Sequence, residues 1–274
     1  MSAPPLAFST ALLGVVIVVA SMVVATLGFW LVYRRFDRDR LKENNEVGGM
    51  LFAMIGVLYT VLLAFMVIVV WDQFENARAV SDGEVTRLSN LLRDAHTFPA
   101  PARDRIELSI VKYAATVVDS EWKTMESGKA SPVAYAAYNG MWNAYYALKP
   151  VGNQEGLFYQ ESLSRLNEVG QYRRERLLAA RDSFPTLLWI LLIAGAVVTI
   201  AYTWVLGTSQ TLLHAVSVAV LAGLTALVLF LILALNHPFS GEVRVTPESF
   251  QQLYAQWAPL IGHNNEAVPT CTFC

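Results

Sequence analysis

The chain has 274 residues, 55% of them hydrophobic and 15% charged, with a formal net charge of −2. Soluble domains carry nearer a quarter charged residues, so the composition indicates a membrane protein, and the slightly acidic balance gives no basis for nucleic-acid binding. No G-x-S-x-G elbow, phosphate loop, H-E-x-x-H or dinucleotide fingerprint occurs, so no catalytic residue and no cofactor are expected and the chain is not read as an enzyme.

Four segments are apolar for long enough to cross a bilayer: Leu6–Tyr33, Val47–Trp71, Phe184–Leu206 and Thr211–Leu235. The first is too long for a signal-peptide core and no basic residue precedes it, which predicts a retained anchor. It carries small residues at Ala11, Gly14, Ser21, Ala25 and Gly28, a set suited to packing against the second span.

The second span runs 25 residues without a charge and then meets Asp72, Gln73, Phe74 and Glu75. As a helix it is roughly 37 Å long, more than the hydrocarbon core of a bilayer. Gly49, Ala53, Gly56, Thr60 and Ala64 fall three or four residues apart, so one face holds only small side chains and is a candidate for helix packing. Phe52, Tyr59 and Met66 recur every seven residues on another face, and with Leu62, Phe65 and Val69 they are the candidates for lining or constricting a pore. Asp72 and Glu75, one turn apart at the mouth, are vestibule candidates, because repeated around an oligomer they would form carboxylate rings that concentrate cations. The competing explanation is that these acids only begin the solvated part of the helix.

Beyond Asp72, the spacing of Ala77, Val80, Glu84, Leu88, Leu91 and Ala95 continues the second span as one amphipathic rod. Phe98-Pro99-Ala100-Pro101 stops it, since proline lacks the helix donor. Ile106, Ile110, Tyr113, Val117 and Met125 mark the next helix, ending near Gly128. Pro132 opens a third, with Tyr135, Tyr138, Trp142 and Tyr145 on one side, closed by Lys149-Pro150-Val151-Gly152. A fourth carries Leu157, Leu163, Leu166, Val169 and Leu177 and leads to Ser183-Phe184-Pro185, where proline can start the third span. Arg173, Arg174 and Arg176 on it are expected to pair with Glu168 and Glu175 or with lipid headgroups. Glu121 is either a buried, partnered carboxylate or a solvated one.

Only Gly207, Thr208, Ser209 and Gln210 separate the third and fourth spans, which forces an antiparallel hairpin. His214 and His237 read as interfacial. Phe250, Leu253, Tyr254 and Trp257 have helical spacing near the C-terminus. Cys271 and Cys274 form a lone C-x-x-C with His263 upstream, a weak metal signal set against a mobile tail or an incidental disulfide; no metal site is assigned.

Charge argues for orientation. The loop from Arg34 to Glu46 holds Arg34, Arg35, Arg38, Arg40 and Lys42, whereas no charged side chain precedes the first span, which puts the loop in the cytoplasm and the N-terminus outside. The block 72–183 and the C-terminus then lie outside too. Arg165, Arg173, Arg174, Arg176 and Arg181, near the third span, weigh the other way.

Asn45, Gly49, Gly56, Tyr59, Leu63, Ala64, Phe65 and Trp71 together resemble the second-span signature of the bacterial bestrophin-like membrane proteins. Tyr113, Glu121-Trp122, Arg173, Arg176, Pro185, Trp189 and Pro238-Phe239-Ser240-Gly241 extend the resemblance, in order, over nearly the whole chain. The resemblance implies kinship with bestrophins, homopentameric ion channels with four spans per subunit, a pore lined by the second span and soluble helices in the cytoplasm. A Pro-Phe-Gly motif after the fourth span belongs to their calcium clasp. Here Ser240 interrupts it and only Glu242 is near, against the six to eight oxygens calcium takes, so no clasp is expected.

The sequence therefore predicts an all-α, four-span transmembrane protein with a long soluble helical extension, of bestrophin-like type. Its parts are the first two spans (1–71), a soluble helical block (72–183), a transmembrane hairpin (184–235) and a C-terminal segment (236–274). The expected partners are the lipid bilayer of a bacterial inner membrane, further copies of the chain in a homo-oligomer (a pentamer), and inorganic ions, with a lean towards cations. The alternative is a non-conducting, membrane-anchored scaffold or sensor whose soluble block binds a partner.

Overall fold

A computed structural model describes residues 10–36, 45–181, 184–241, 243–262 and 270–274. The expected start of the first span at Leu6, the loop residues Arg38, Arg40 and Lys42, and Ser183, Glu242 and His263 lie outside them. The helices are α1 (Thr10–Arg35), α2 (Asn45–Ala95), α3 (Ala100–Thr116), a π-helical turn (Val117–Glu121), α4 (Trp122–Met125), α5 (Pro132–Tyr146), α6 (Gly152–Arg181), α7 (Thr186–Thr203), α8 (Thr211–Leu235) and α9 (Glu248–Gly262). No strand occurs among the described residues. The four helices α1, α2, α7 and α8 are long and apolar enough to cross a membrane. The chain divides into two compact units, Met1–Asp72 with Ser183–Asn236, and Gln73–Asp182 with His237–Cys274.

In the first unit α1 lies close along α8. Small side chains permit the approach, as membrane helices without a hydrophobic drive between them require. A Cβ on Gly14 would stand 2.6 Å from the Phe230 ring, and one on Gly223 would stand 3.1 Å from Met22. Ser21 Oγ donates to the carbonyl of Val18 at 2.7 Å and reaches that of Ala222 at 3.3 Å. Gly28 leaves room for the Trp204 ring, just past the end of α7. The small residues of the first span thus serve the fourth span and the end of the third, not the second span to which the sequence offered them. Ala25, Phe29, Tyr33, Val218 and Ala222 form the buried patch between α1 and α8.

The third span ends earlier than hydropathy suggested. Trp204, Val205 and Leu206 donate to Ala201, Tyr202 and Thr203, three residues back, so the last turn tightens and stops. The following turn is held from two sides. Asn45 Nδ2 donates to the Gly207 carbonyl at 2.5 Å and its Oδ1 accepts from Gly207 N at 2.8 Å. Tyr33 Oη accepts from Thr208 N at 2.8 Å and donates to the Thr208 carbonyl at 3.1 Å. His214 Nε2 lies 2.9 Å from the Thr203 carbonyl.

In the second unit, the proline and glycine stops fall where the sequence puts them. Pro99 caps α3, and Gly128 takes a left-handed φ of 67° after α4. Ser131 Oγ accepts from Ala134 N at 3.3 Å at the start of α5, satisfying one of the free donors of its first turn. The core combines Leu88, Leu91 and Leu92 of α2, Ile106, Ile110 and Tyr113 of α3, Met141 and Tyr145 of α5, Leu166 and Val169 of α6, and Phe250 and Leu253 of α9. The aromatic side of α5 straddles this core: Tyr145 is buried, Tyr138 half-buried and Tyr135 exposed.

Candidate functional site

Two features hold the chemistry the sequence singled out: the second span, and a buried charge cluster in the second unit. On the second span, Tyr59 is 7% exposed; its hydroxyl donates to the Leu192 carbonyl at 3.0 Å and its ring covers Gly195. Phe52 stacks on Tyr202 with centroids 6.0 Å apart. Tyr59 and Phe52 therefore hold α2 against α7 within one protomer, and Leu62 and Met66 are likewise half-buried. Phe65 is 61% exposed, and Val69 is also exposed. A Cβ on Gly49 or Gly56 would meet nothing within 4 Å, and Ala53, Thr60 and Ala64 are exposed, so the small-residue face lies open on the protomer. Asp72 is exposed and Glu75 half-buried.

At 100° per residue, the direction opposite Phe52 and Tyr59 gathers Met50, Met54, Val57, Val61, Phe65 and Ile68, and then Asp72. All seven are exposed. The sequence reading chose the aromatic heptad because it repeats most clearly. Spacing alone does not say which stripe a neighbouring helix of the same chain will cover.

In the second unit, Arg176 is wholly buried. Its Nε donates to Glu84 Oε2 at 2.8 Å, and its Nη2 to Glu84 Oε1 at 3.3 Å and Glu121 Oε2 at 2.9 Å. Arg173 donates through Nη2 to Glu121 Oε1 at 2.5 Å and through Nε to Oε2 at 3.2 Å. Tyr113 donates its hydroxyl to Glu84 Oε1. Trp122 and Phe250 flank the Arg176 guanidinium at 5.4 and 5.5 Å. Two carboxylates and two guanidiniums make the group neutral, the condition under which buried charge is tolerated.

Burial pushes the Glu121 carboxyl up, but Arg176 and Arg173 together outweigh it and hold it below the usual carboxylate value. Burial and then the Glu84 charge push the Tyr113 phenol well above its usual value, so it stays a donor. Burial alone would lower the Arg176 value; Glu84, Tyr113 and Glu121 reverse that and keep it charged. Arg176 Nη1 also meets Met125 Sδ at 2.8 Å, and the cluster ties α2, the π-helical turn and α6 together.

The sequence expected Arg173, Arg174 and Arg176 to meet Glu168, Glu175 or lipid. For Arg173 and Arg176 the structure corrects this, since Glu168 instead takes Arg87 at 2.7 Å. The signal was present: Leu166, Val169, Arg173 and Arg176 follow a three-four-three spacing, the buried stripe of α6. Glu121 takes the buried alternative. Cys271 and Cys274 form a disulfide. No group of three or more His, Cys, Asp or Glu able to hold a metal occurs among the described residues.

Comparison with known proteins matches this fold. Two mutant crystal structures of a bacterial bestrophin homologue from Klebsiella pneumoniae superpose with TM-scores of 0.70 and 0.67 at 13% and 12% identity. They cover 89% and 88% of this chain and 99% of their own. A crystal structure of a membrane protein superposes at 0.67, with 13% identity over 89% of this chain and 98% of its own. No curated protein matches in sequence. The model of the Bestrophin-like domain matches residues 19–250, from within the first span to the helix that closes the soluble core, and the chain belongs to the bestrophin-like family.

Proposed function

We propose that the protein is an oligomeric ion channel of the bacterial inner membrane, in which five copies set their second spans around a common axis. The observation that carries this is the open side of α2, where an exposed apolar row from Met50 to Ile68 runs into exposed Asp72. The small face at Gly49, Ala53, Gly56, Thr60 and Ala64 lies beside that row and suits close approach by the same helix of a neighbouring copy. Of the pore candidates, Phe65 then faces the axis as the hydrophobic constriction with Val69 at the edge of that row, and Phe52 and Tyr59 set the tilt of the helix by packing on α7. Rings of such apolar side chains gate by dewetting. Asp72 and Glu75 form the vestibule and favour cations.

Purified protein in planar bilayers tests this. Unitary currents are expected, and Asp72→Asn with Glu75→Gln should move the reversal potential in a salt gradient towards anions. An unchanged potential removes the vestibule role, and no current across pH removes the channel. Exposed Val133, Tyr135 and Tyr146 on α5 favour the second reading, a scaffold or sensor that binds a partner through its soluble unit, and it predicts no current.

The basic first loop favours the extracytoplasmic side for the N-terminus and soluble unit, and the Cys271–Cys274 disulfide suits an oxidising compartment. Impermeant thiol reagents on intact cells should label Ser2→Cys and spare Asn44→Cys. Labelling at position 44 reverses the orientation.

A further inference from the structure

The C-terminal residues 270–274 lie on the π-helical turn through a convergent set of contacts. Asp119, within that turn, accepts from Thr272 N at 3.0 Å and from Phe273 N at 3.1 Å, one bond to each carboxylate oxygen. Lys123 Nζ stands 3.6 Å from the Phe273 ring centroid. From α9, Tyr254 Oη accepts from Cys271 N at 3.2 Å and Gln251 Nε2 donates to the Phe273 carbonyl at 2.5 Å. The disulfide between Cys271 and Cys274 encloses the two amides that meet Asp119. Cys274 is exposed and Cys271 half-buried, so an attacking thiolate reaches the Cys274 sulfur first.

We infer that Cys271–Cys274 is a redox-active site for a dithiol reductant, and that its oxidation state decides whether the terminal segment stays on the π-helical turn. A thiolate of the reductant attacks Cys274 Sγ, the disulfide breaks, and Cys271 leaves as a thiolate. Its sulfur lies 3.5 Å from Asp119 Oδ1, and a negative charge there is disfavoured, so it takes a proton. The second thiolate of the reductant attacks the mixed disulfide and releases Cys274, which is also protonated. Two electrons and two protons pass to the chain, and the reductant becomes a disulfide. Once open, the four-residue ring no longer holds both amides towards one carboxylate, and docking must meet the conformational entropy that the bond had removed.

The site is separate from conduction and is tested without it. The full-length protein in detergent is oxidised with diamide or reduced with dithiothreitol, and backbone hydrogen–deuterium exchange is followed in the C-terminal peptide. Reduction should speed exchange at residues 272 and 273 by about tenfold or more, as loss of local protection does. The double variant Cys271→Ser, Cys274→Ser should exchange fast under both conditions, and Asp119→Ala should exchange fast even when oxidised. Equal exchange in the two redox states, a protected double variant, or no disulfide after diamide would each overturn the inference.

Discussion

Arg176 shows how one side chain can decide the stability of a unit. Arg176→Met leaves Glu84 and Glu121 buried with fewer partners, and breaking such pairs costs about 3–5 kcal/mol. The thermal midpoint of the purified protein should drop accordingly. Arg176→Met with Glu84→Gln should recover part of the loss, because one of the stranded charges is gone. If the single and double variants melt alike, the cluster does not act as a unit. Acid should weaken the same place. The Glu121 value lies below the usual 4.5, so its stabilisation is fully present above about pH 4.5 and is lost as pH falls through the lowered value. Burial raises Asp94 and Glu107, which act with the opposite sign: protonation on the way down relieves them. Melting curves from pH 7 to pH 3 should therefore show a shallower acid loss in Glu121→Gln than in the wild type, and parallel curves would assign the acid loss elsewhere.

At the scale of helices, hydropathy and proline or glycine punctuation identified every long helix, because length, apolar runs and missing donors are local properties. Partner choice was not local. The small residues of the first span fit any close neighbour, and only the tertiary arrangement gives them Phe230, Ala222 and Trp204. The two arginines of the α6 core stripe were assigned to Glu168, Glu175 or lipid headgroups because arginine is rarely buried, although their spacing continued that of Leu166 and Val169. The π-helical turn was also absent from the sequence reading, yet Tyr113, Val117, Glu121 and Met125 step by four three times. Each step of four drifts by about 40° on an α-helix, so the stripe would wander off the core unless one extra residue resets it. Removing Ser120 should restore ordinary winding and leave Trp122 and Met125 in their places, because the stripe from Tyr113 to Met125 then steps by four, three and four. The soluble core should then keep cooperative melting by tryptophan fluorescence, and its loss would show that the π-helical turn itself is required. In the membrane unit, Gly195→Ala places a methyl 2.6 Å from the Tyr59 ring and should destabilise by about 1–3 kcal/mol in detergent unfolding, whereas Gly56→Ala, with open space around it, should not.

For the assembly, the open face of α2 makes a prediction of opposite kind to the Gly195 substitution. Gly56→Leu should leave the protomer folded and reduce the oligomer fraction by native mass spectrometry, since bulk on a small-residue face separates helices. An unchanged assembly would place the subunit contact elsewhere. The soluble unit also has a consequence in time. Its core needs Phe239, Val245, Phe250 and Leu253, which the ribosome makes after all four spans. Trp122 Nε1 finds the Val245 carbonyl at 3.3 Å, and Arg176 its Phe250 wall, only once that last segment exists. A chain truncated after residue 236 therefore has all four spans but an unfinished soluble core, and exposes the very surface on which chaperones and proteases act. Synthesis of the segment from Phe239 to Leu253, rather than of the four spans, is the step that seals the soluble core.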